Sequence, residues 1–478
     1  MAKNITPRSE NYSEWYLDVI KAGQLADYAP VKGCMVIRPT GFAIWEAMQA
    51  QLDRMFKETG HVNAYFPLLI PQHFLEKEAE HVEGFSPECA VVTHGGGKEL
   101  EEALVVRPTS ETMIGHMYSQ WINSYRDLPI LINQWCNVMR WEMRTRLFLR
   151  TSEFLWQEGH TAHETYEEAQ EETLKMLNIY HRFQEEYLAI PMIKGKKTES
   201  EKFPGADATY TIEAMMQDGK ALQASTSHNM KQNFAKAFDI QYLDRNNEHQ
   251  FAHTTSWGSS TRMIGGLIMT HSDDDGLVLP PRIAPIAVVI VPIFKKEEEK
   301  TATLEFADSI AKKLSEHLDP LRVKIDSREM RPADKFYHWI QQGVPLRIEI
   351  GPRDVEKQAG MLVRRDNREK QSVPIESIAQ SVITILDDIQ TSLYRKALAF
   401  REENTRTVTD YEEFKQIIQE KGGFIRAHWN GSAEVESKIK EETKATIRCI
   451  PLEDDPKPGS CIVTGEASAQ EVIFAIAY

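Results

Sequence analysis

Arg140, Glu142, Phe154, Trp156, Glu158 and His160 fall within a single run of the chain. Its first arm is Val138-Met139-Arg140-Trp141-Glu142-Met143-Arg144; its second is Thr151-Ser152-Glu153-Phe154-Leu155-Trp156-Gln157-Glu158-Gly159-His160. Both arms alternate polar and large residues, the period of two expected of strands, and Thr145 to Arg150 makes a basic loop between them. A hairpin of this kind places Arg140 and Glu142 on one face. It does the same for Phe154, Trp156, Glu158 and His160 on the returning arm. A guanidinium, carboxylates, an imidazole and aromatic rings would meet in one cleft. That set suits a flat, charged ligand and not a hydrophobic core.

The flanking stretches supply elements to hold such a cleft. Phe42 to Thr59 reads as an amphipathic helix with Ile44, Met48, Leu52 and Phe56 on one stripe, stopped by Gly60. Val62 to Pro71 carries two prolines and reads as an edge or interface strand. The acidic run Glu76 to Glu83 is expected to be a solvated helix face. Gly95-Gly96-Gly97 reads as a hairpin tip or, alternatively, a phosphate cradle, although it fits neither glycine-rich nucleotide motif. Leu104 to Pro108 is a strand candidate, followed by Thr109-Ser110-Glu111 and a helix from about Thr112 to Tyr125. Ile130 to Cys136 leads into the hairpin. Beyond it, Tyr166 to Tyr187 is a long Glu-rich helix and residues 192–202 a basic turn. Ala208 to Ala214 and Ala221 to Thr226 pair about Asp218-Gly219. His253 to Ser260 precedes a helix whose first residue, Arg262, opens an otherwise apolar run. Asp273-Asp274-Asp275-Gly276 reads as a surface turn or a metal site. The prolines of 280–285 mark a boundary. From Ile286 strands and helices alternate, which predicts an α/β domain with a mainly parallel sheet to about residue 400; 401–478 forms a smaller unit.

A chain of 478 residues is too long for one core, so two or three domains are expected. A net charge of -15 gives no bulk attraction to nucleic acid, although phosphate contacts need only a local basic patch. There is no apolar run of transmembrane length, and the polar stretch Met1 to Glu14 is not the pattern of a signal peptide. Five cysteines (Cys34, Cys89, Cys136, Cys449 and Cys461) with no CxxC point to a reducing cytoplasm.

Taken together, these blocks resemble the class II aminoacyl-tRNA synthetases, and the prolyl-tRNA synthetase family of archaeal/eukaryotic-like type in particular. Gly41-Phe42-Ala43-Ile44-Trp45-Glu46 through Ile70-Pro71 is similar to motif 1. Arg107-Pro108-Thr109-Ser110-Glu111 is similar to the loop that holds the amino acid, Arg140 through His160 to motif 2, and Gly258-Ser259-Ser260-Thr261-Arg262 through Pro285 to motif 3. The resemblance covers essentially the whole chain. It implies an α+β fold: a class II antiparallel-sheet catalytic domain over residues 1–285, an α/β anticodon-binding domain over 286–400, and a small α/β C-terminal domain over 401–478 with a degenerate zinc site. It further implies a cytoplasmic homodimer joined through motif 1. No large insertion separates motifs 2 and 3, where the bacterial subtype carries its editing domain.

The implied reaction joins L-proline to tRNA(Pro) through a prolyl-adenylate, with ATP and Mg²⁺. Neither step needs a protein nucleophile, so catalysis rests on orientation and charge. By resemblance Arg140 grips carboxylate and α-phosphate, and Glu142 meets the adenine amino group or the nearby loop. Phe154 stacks on adenine, with Arg262 over the opposite face and reaching the γ-phosphate. Arg150 is either a phosphate or tRNA contact or a surface charge. Thr109 and Glu111 receive the secondary ammonium of proline. Trp156, Glu158 and His160 line the same pocket, with His228 and Ser259 as additions. Glu213 and Gln223 are candidates for the metal or ribose side. In the second domain Asp326, Arg328, Arg347, Glu349 and Arg353 at strand ends are candidates to read anticodon bases. The tail departs from the family pattern. Trp429-Asn430-Gly431, Val435, Cys461 and Thr464 stand where four zinc-binding cysteines are expected, so no zinc is expected. Tyr478 matches the family's terminal tyrosine, whose carboxylate is expected to tuck toward the active site. The alternatives are another class II synthetase, threonyl above all, and a tRNA-binding paralogue without ATP chemistry. Intact Arg140, Glu142, Phe154 and Arg262 weigh against the paralogue.

Overall fold

The alternating stretches build one sheet of eleven strands that runs through two domains. The computed structural model describes residues 4–75, 89–452 and 457–478; the acidic run Glu76 to Glu83 lies outside them. From one edge the catalytic strands are Val62–Asn63, Ile130–Met139, Glu153–His163, His253–Ser260, Ala221–Lys231, Ala208–Met215 and Ile193–Lys196. All pair antiparallel except the edge strand Val62–Asn63, which is parallel to its neighbour. The expected turn at Asp218-Gly219 joins two of them, with Gly219 at φ 76°. Helices Pro39–Lys57 and Tyr166–Glu186 share one core with the sheet, and Ile44, Met48, Leu52 and Phe56 are all buried. The long helix starts at a capping box in which Thr165 and Glu168 satisfy each other's backbone N–H.

The hairpin that holds Arg140 and His160 is shorter on its first arm than the alternation predicts. Its strands pair from Ile130 with Ala162 to Met139 with Glu153, and Arg140 to Ser152 form the connection. Leu147, Phe148 and Leu149 are buried and Tyr16 Oη donates to the Leu147 carbonyl (2.7 Å), so the loop is pinned to the core and leaves the ladder. Two glycines let indoles lie flat on the sheet. A Cβ on Gly258 would sit 2.4 Å from Trp156, and one on Gly159 would sit 2.0 Å from Trp257.

Residues 193–196, expected within a basic turn, form a strand. Its partner on the far side is the C-terminal strand Thr446–Pro451, with Lys196 opposite Ile450. Gly195 makes that approach feasible, because a Cβ there would meet Cys449 Cβ at 2.3 Å. The sheet then continues through Glu471–Ala475, Phe424–His428 and Thr405–Thr407. The triple glycine is a hairpin tip between Ala90–Gly95 and Lys98–Val106; Gly96 and Gly97 have positive φ and open space where a Cβ would be.

The second domain has its own core and a mixed sheet. Val323–Ile325, Val288–Pro292 and Leu346–Ile350 run parallel, as expected. Ala359–Arg364 and Lys370–Pro374 add two antiparallel strands, the last of which the sequence reading did not contain. Where the zinc cysteines were looked for, Asn430 Nδ2 and Thr464 Oγ1 donate to Glu466 Oε2 at 2.7 and 3.1 Å, and Cys461 and Val435 pack into the domain core.

The acidic turn Asp273-Asp274-Asp275 is a joint. Asp273 accepts a two-pronged pair from Arg365 (2.7 and 2.8 Å), Asp275 pairs with Arg368, and Asp274 with Arg8 (3.0 Å). Two arginines of the second domain and one of the N-terminal segment thus neutralise a turn that directly follows the Arg262–His271 helix. The metal-site alternative for this turn is set aside, because each carboxylate is matched by a guanidinium. Arg365 is 3% exposed in its side chain and Arg368 65%. Arg365→Met is therefore expected to destabilise the joint by about 2 kcal/mol in chemical denaturation, and Arg368→Met by less than about 1 kcal/mol.

Candidate active site

Every residue assigned by sequence to ATP or proline, His160 excepted, lines one cavity of about 400 Å³. The cavity sits on the exposed face of the sheet between the Arg140–Ser152 loop, the Thr109–Glu111 segment and the start of the Arg262–His271 helix. Arg140 stands in the middle. Its guanidinium lies 5.7 Å from the Phe154 ring centre and 5.5 Å from that of Trp156, and its Nε donates to the Pro108 carbonyl at 3.0 Å. The two rings meet edge to face at 5.9 Å. Arg140 therefore bridges a compartment around Phe154 and a deeper one around Trp156.

The deep compartment is acidic. Glu111 accepts from Thr109 Oγ1 and from Ser256 Oγ (2.8 Å). Glu158 accepts from Ser110 Oγ, from Gln134 Nε2 (2.8 Å) and from His160 Nε2 (3.1 Å). Burial raises the Glu158 carboxyl, but the His160, Ser110 and Gln134 bonds outweigh it and hold it at about 2. His160 is raised in spite of its burial, by Glu158 and then Glu111. His160 is corrected here from a pocket wall to a support: it lies behind Glu158 and beside a smaller void, on the far side of Glu111. Its position at the end of the strand's polar face misled the sequence reading. The indole N–H of Trp156 is buried without an acceptor among the described residues.

The outer compartment is cationic. Arg262 Nε donates to the Leu149 carbonyl at 3.2 Å; burial, then Arg150 and Arg140, lower its pKa to about 10. Arg150 Nε is 3.5 Å from Glu142 Oε2, which makes Arg150 a half-exposed cation at the cavity rim. Gln223 and Ser259 line the floor, and His228 sits between Thr209 and Thr226 hydroxyls at 2.9 and 3.0 Å.

Glu213 does not belong to this set. It is fully enclosed, with Lys197 Nζ at 2.9 Å, Thr211 Oγ1 at 3.0 Å and Arg448 Nε and Nη2 at 3.1 Å. Its assignment as a magnesium ligand is corrected: two cations already occupy both oxygens. Sequence reasoning named Ser110 only as part of the amino-acid loop and gave Gln134 and Ser256 no role. It also passed over Lys202-Phe203-Pro204, which form the cavity lip. Polar residues repeated on one strand face were the available signal.

In the second domain Asp326 is buried, its oxygens taken by Arg328 (2.7 Å) and the Trp339 indole (2.8 Å). Burial pushes its pKa up, but these bonds bring it to about 2. Its role as a base reader is corrected accordingly. Arg347 and Glu349 pair with each other at 2.7 Å, and Arg353 is exposed on the short helix Pro352–Glu356. Arg347 also lines a depression of about 150 Å³ with Trp339, Arg364, Arg365, Arg368 and Lys370. Tyr478 does not line the catalytic cavity. Its hydroxyl donates to Asp218 (2.6 Å), and its ring lies 5.6 Å from the Arg146 guanidinium.

Comparison with known families agrees with this layout domain by domain. Residues 92–271 match the tRNA synthetase class II core domain (G, H, P, S and T), 287–385 an anticodon binding domain, and 411–478 the C-terminal region of prolyl-tRNA synthetase. The proline–tRNA ligase of Chlorobium luteolum is 60% identical over 486 residues, covering both chains completely. That of Roseiflexus castenholzii is 58% identical over 482 residues, covering 100% of this chain and 99% of its own. The chain belongs to the proline–tRNA ligase family. The archaeal/eukaryotic-like subtype expected from sequence is overturned, because these full-length relatives are bacterial. That expectation rested on the motif blocks matched over essentially the whole chain, with the missing insertion between motifs 2 and 3 beside them. Bacterial members that align end to end with this chain show that the compact layout does not follow lineage.

Buried histidines set an acid limit on the fold. Burial lowers His228, His163 and His271 to about 4. A histidine depressed from 6.5 in the folded state resists a proton that the unfolded chain accepts. Stability is therefore full above about pH 6.5 and falls as pH drops toward 4. Denaturant melts across that window should show the decline, and His228→Gln should make it shallower.

Proposed function

We propose that the deep compartment binds L-proline, that the outer one binds ATP, and that Arg140 holds the reacting groups of both. As a member of its family the enzyme ligates proline to tRNA(Pro) through a prolyl-adenylate, releasing AMP and diphosphate. The observation that carries the site assignment is the position of Arg140 between the Trp156 and Phe154 rings.

In this reading Glu111 and Thr109 receive the prolinium nitrogen and Trp156 supplies an apolar wall for the ring, while Glu158, kept ionised by His160, adds negative charge behind them. Phe154 stacks on adenine and Arg262 lies over its other face toward the phosphates. Glu142 reaches adenine or the loop, Arg150 the phosphates or the tRNA end, and Gln223 the ribose side. A carboxylate oxygen of proline attacks the α-phosphorus; the new P–O bond forms as the bond to the β-phosphate bridge breaks and diphosphate leaves. The terminal ribose hydroxyl of tRNA then attacks the acyl carbon and AMP leaves. The planar fork of Arg140 matches both oxygen sets, and lysine would not reproduce it.

Magnesium neutralises phosphate charge when bound. Of the side chains lining the cavity that could assist it, Glu142 is paired with Arg150 and Gln223 lies on the floor. No group of three metal-binding side chains occurs among the described residues. That set suits an ion carried by the nucleotide and not an all-protein cage. Zinc has no place in the reading.

The anticodon stem would meet the second domain at the Arg347–Lys370 depression and Arg353, with Arg328 and Glu349 at its margins. A homodimer is proposed from Val62 and Tyr65, which are 60% and 71% exposed at and just after the Val62–Asn63 edge strand. No helix among the described residues is long and apolar enough to cross a membrane. We place the enzyme in the cytoplasm with its tRNA.

Diphosphate exchange into ATP should depend on proline far more than on threonine, alanine or cysteine. Arg140→Lys should reduce it by about 100-fold or more, and Phe154→Ala should raise the KM for ATP roughly tenfold. Proline-independent exchange, or an unaffected Arg140→Lys enzyme, would overturn the assignment. Tyr65→Asp should shift the sedimenting species from dimer to monomer.

A further inference from the structure

Two β-bulges meet beneath the catalytic cavity. One lies in the C-terminal strand Thr446–Pro451, where the pairing with Glu471–Ala475 skips from Ile447 to Cys449 and leaves Arg448 as the extra residue. The other lies between Ile212 and Glu213, where the pairing with Ala221–Lys231 skips Ala224 and sets Glu213 opposite Gln223. Bulges re-aim side chains out of the regular alternation. Here they aim a guanidinium of one domain at a carboxylate of another. Arg448 grips Glu213 with Nε and Nη2, both at 3.1 Å from Oε2, and its Nη1 donates to Thr446 Oγ1 at 2.9 Å. Lys197 closes the set, donating to Glu213 at 2.9 Å and to the Arg448 carbonyl at 2.7 Å. All three side chains are buried.

This cluster is larger than a joint between domains requires, since strand pairing and the Gly195–Cys449 contact already join them. Its location explains the excess. Gln223, the register partner of Glu213, lines the cavity floor, as does Arg262. Arg262 feels the positive charges of Arg150, Arg140 and, more weakly, Arg448, with Glu213 as the opposing acid, so the link from the cluster to the cavity runs through Gln223.

We infer that Arg448 is a positioning residue for proline activation: through Glu213 it fixes the segment that presents Gln223 to ATP. The inference rests on the reading of Gln223 and Arg262 as the ATP side of the site. It makes the C-terminal domain part of the activation machinery.

The test is diphosphate exchange with the full-length enzyme, normalised by titration of the adenylate-forming fraction. Arg448→Met should raise the KM for ATP about tenfold and leave the KM for proline within twofold. Arg448→Lys, which keeps a cation for Glu213, should return the KM for ATP to within about threefold of the parent. Glu213→Gln, which keeps hydrogen bonding and removes the charge, should resemble Arg448→Met, and it serves as the test if Arg448→Met does not fold. A lower melting temperature and active fraction with an unchanged KM for ATP would make Arg448 merely structural and overturn the inference. Arg262→Met measured alongside separates the two claims. If it leaves the KM for ATP unchanged, the ATP-site reading fails; if it raises it while Arg448→Met and Glu213→Gln do not, the inference alone fails.

Discussion

A carboxylate enclosed by a β-sheet must be matched in charge and hydrogen bonds, or it gives up its ionised form. Three such carboxylates shape this catalytic domain. Glu158 is matched by His160, Ser110 and Gln134. Glu213 is matched by Lys197 and Arg448. Glu111 is held by Thr109 and Ser256 at the cavity wall, where a cationic substrate can approach it. Buried ion pairs of this kind are weak sources of stability but strong constraints on arrangement. They fix which strand faces turn toward the cavity, and so where Trp156, Gln223 and Arg140 stand.

The same device joins the domains. Asp273 and Asp275 anchor the second domain through Arg365 and Arg368, and Glu213 anchors the third through Arg448. One acidic turn lies at the end of the helix that Arg262 begins, and one acidic side chain lies beneath the cavity floor. Both joints thus touch elements that carry cavity-lining side chains. The continuous sheet adds a second link to the C-terminal domain, possible only because Gly195 has no Cβ to strike Cys449.

Local signals made much of this legible in the sequence. The helix stripe from Ile44 to Phe56, the Asp218-Gly219 turn and the Glu153–His163 strand each announce themselves within a few residues, and the cavity is built from such pieces. What escaped was set by distant partners. Glu213 reads as a free carboxylate until Arg448, 235 residues away, is seen to hold it. Residues 193–196 read as a turn because their second strand partner lies in another domain. Asp326 reads as a base-reading carboxylate at a strand end because Trp339, which caps it, lies on the following helix. The first hairpin arm ends early because the core captures Leu147 to Leu149, a tertiary contact that the alternation of Val138 to Arg144 does not encode.

The central claim is that one guanidinium bridges two compartments, so a ligand spanning both should gain from that bridge. The most direct measurement is the calorimetric affinity of a non-hydrolysable sulfamoyl analogue of prolyl-adenylate for the parent enzyme and for Arg140→Ala. The account predicts that the analogue binds the parent by orders of magnitude more tightly than proline or ATP alone, and that Arg140→Ala removes most of that advantage. An analogue that binds no more tightly than proline, or that binds Arg140→Ala as well as the parent, would contradict it.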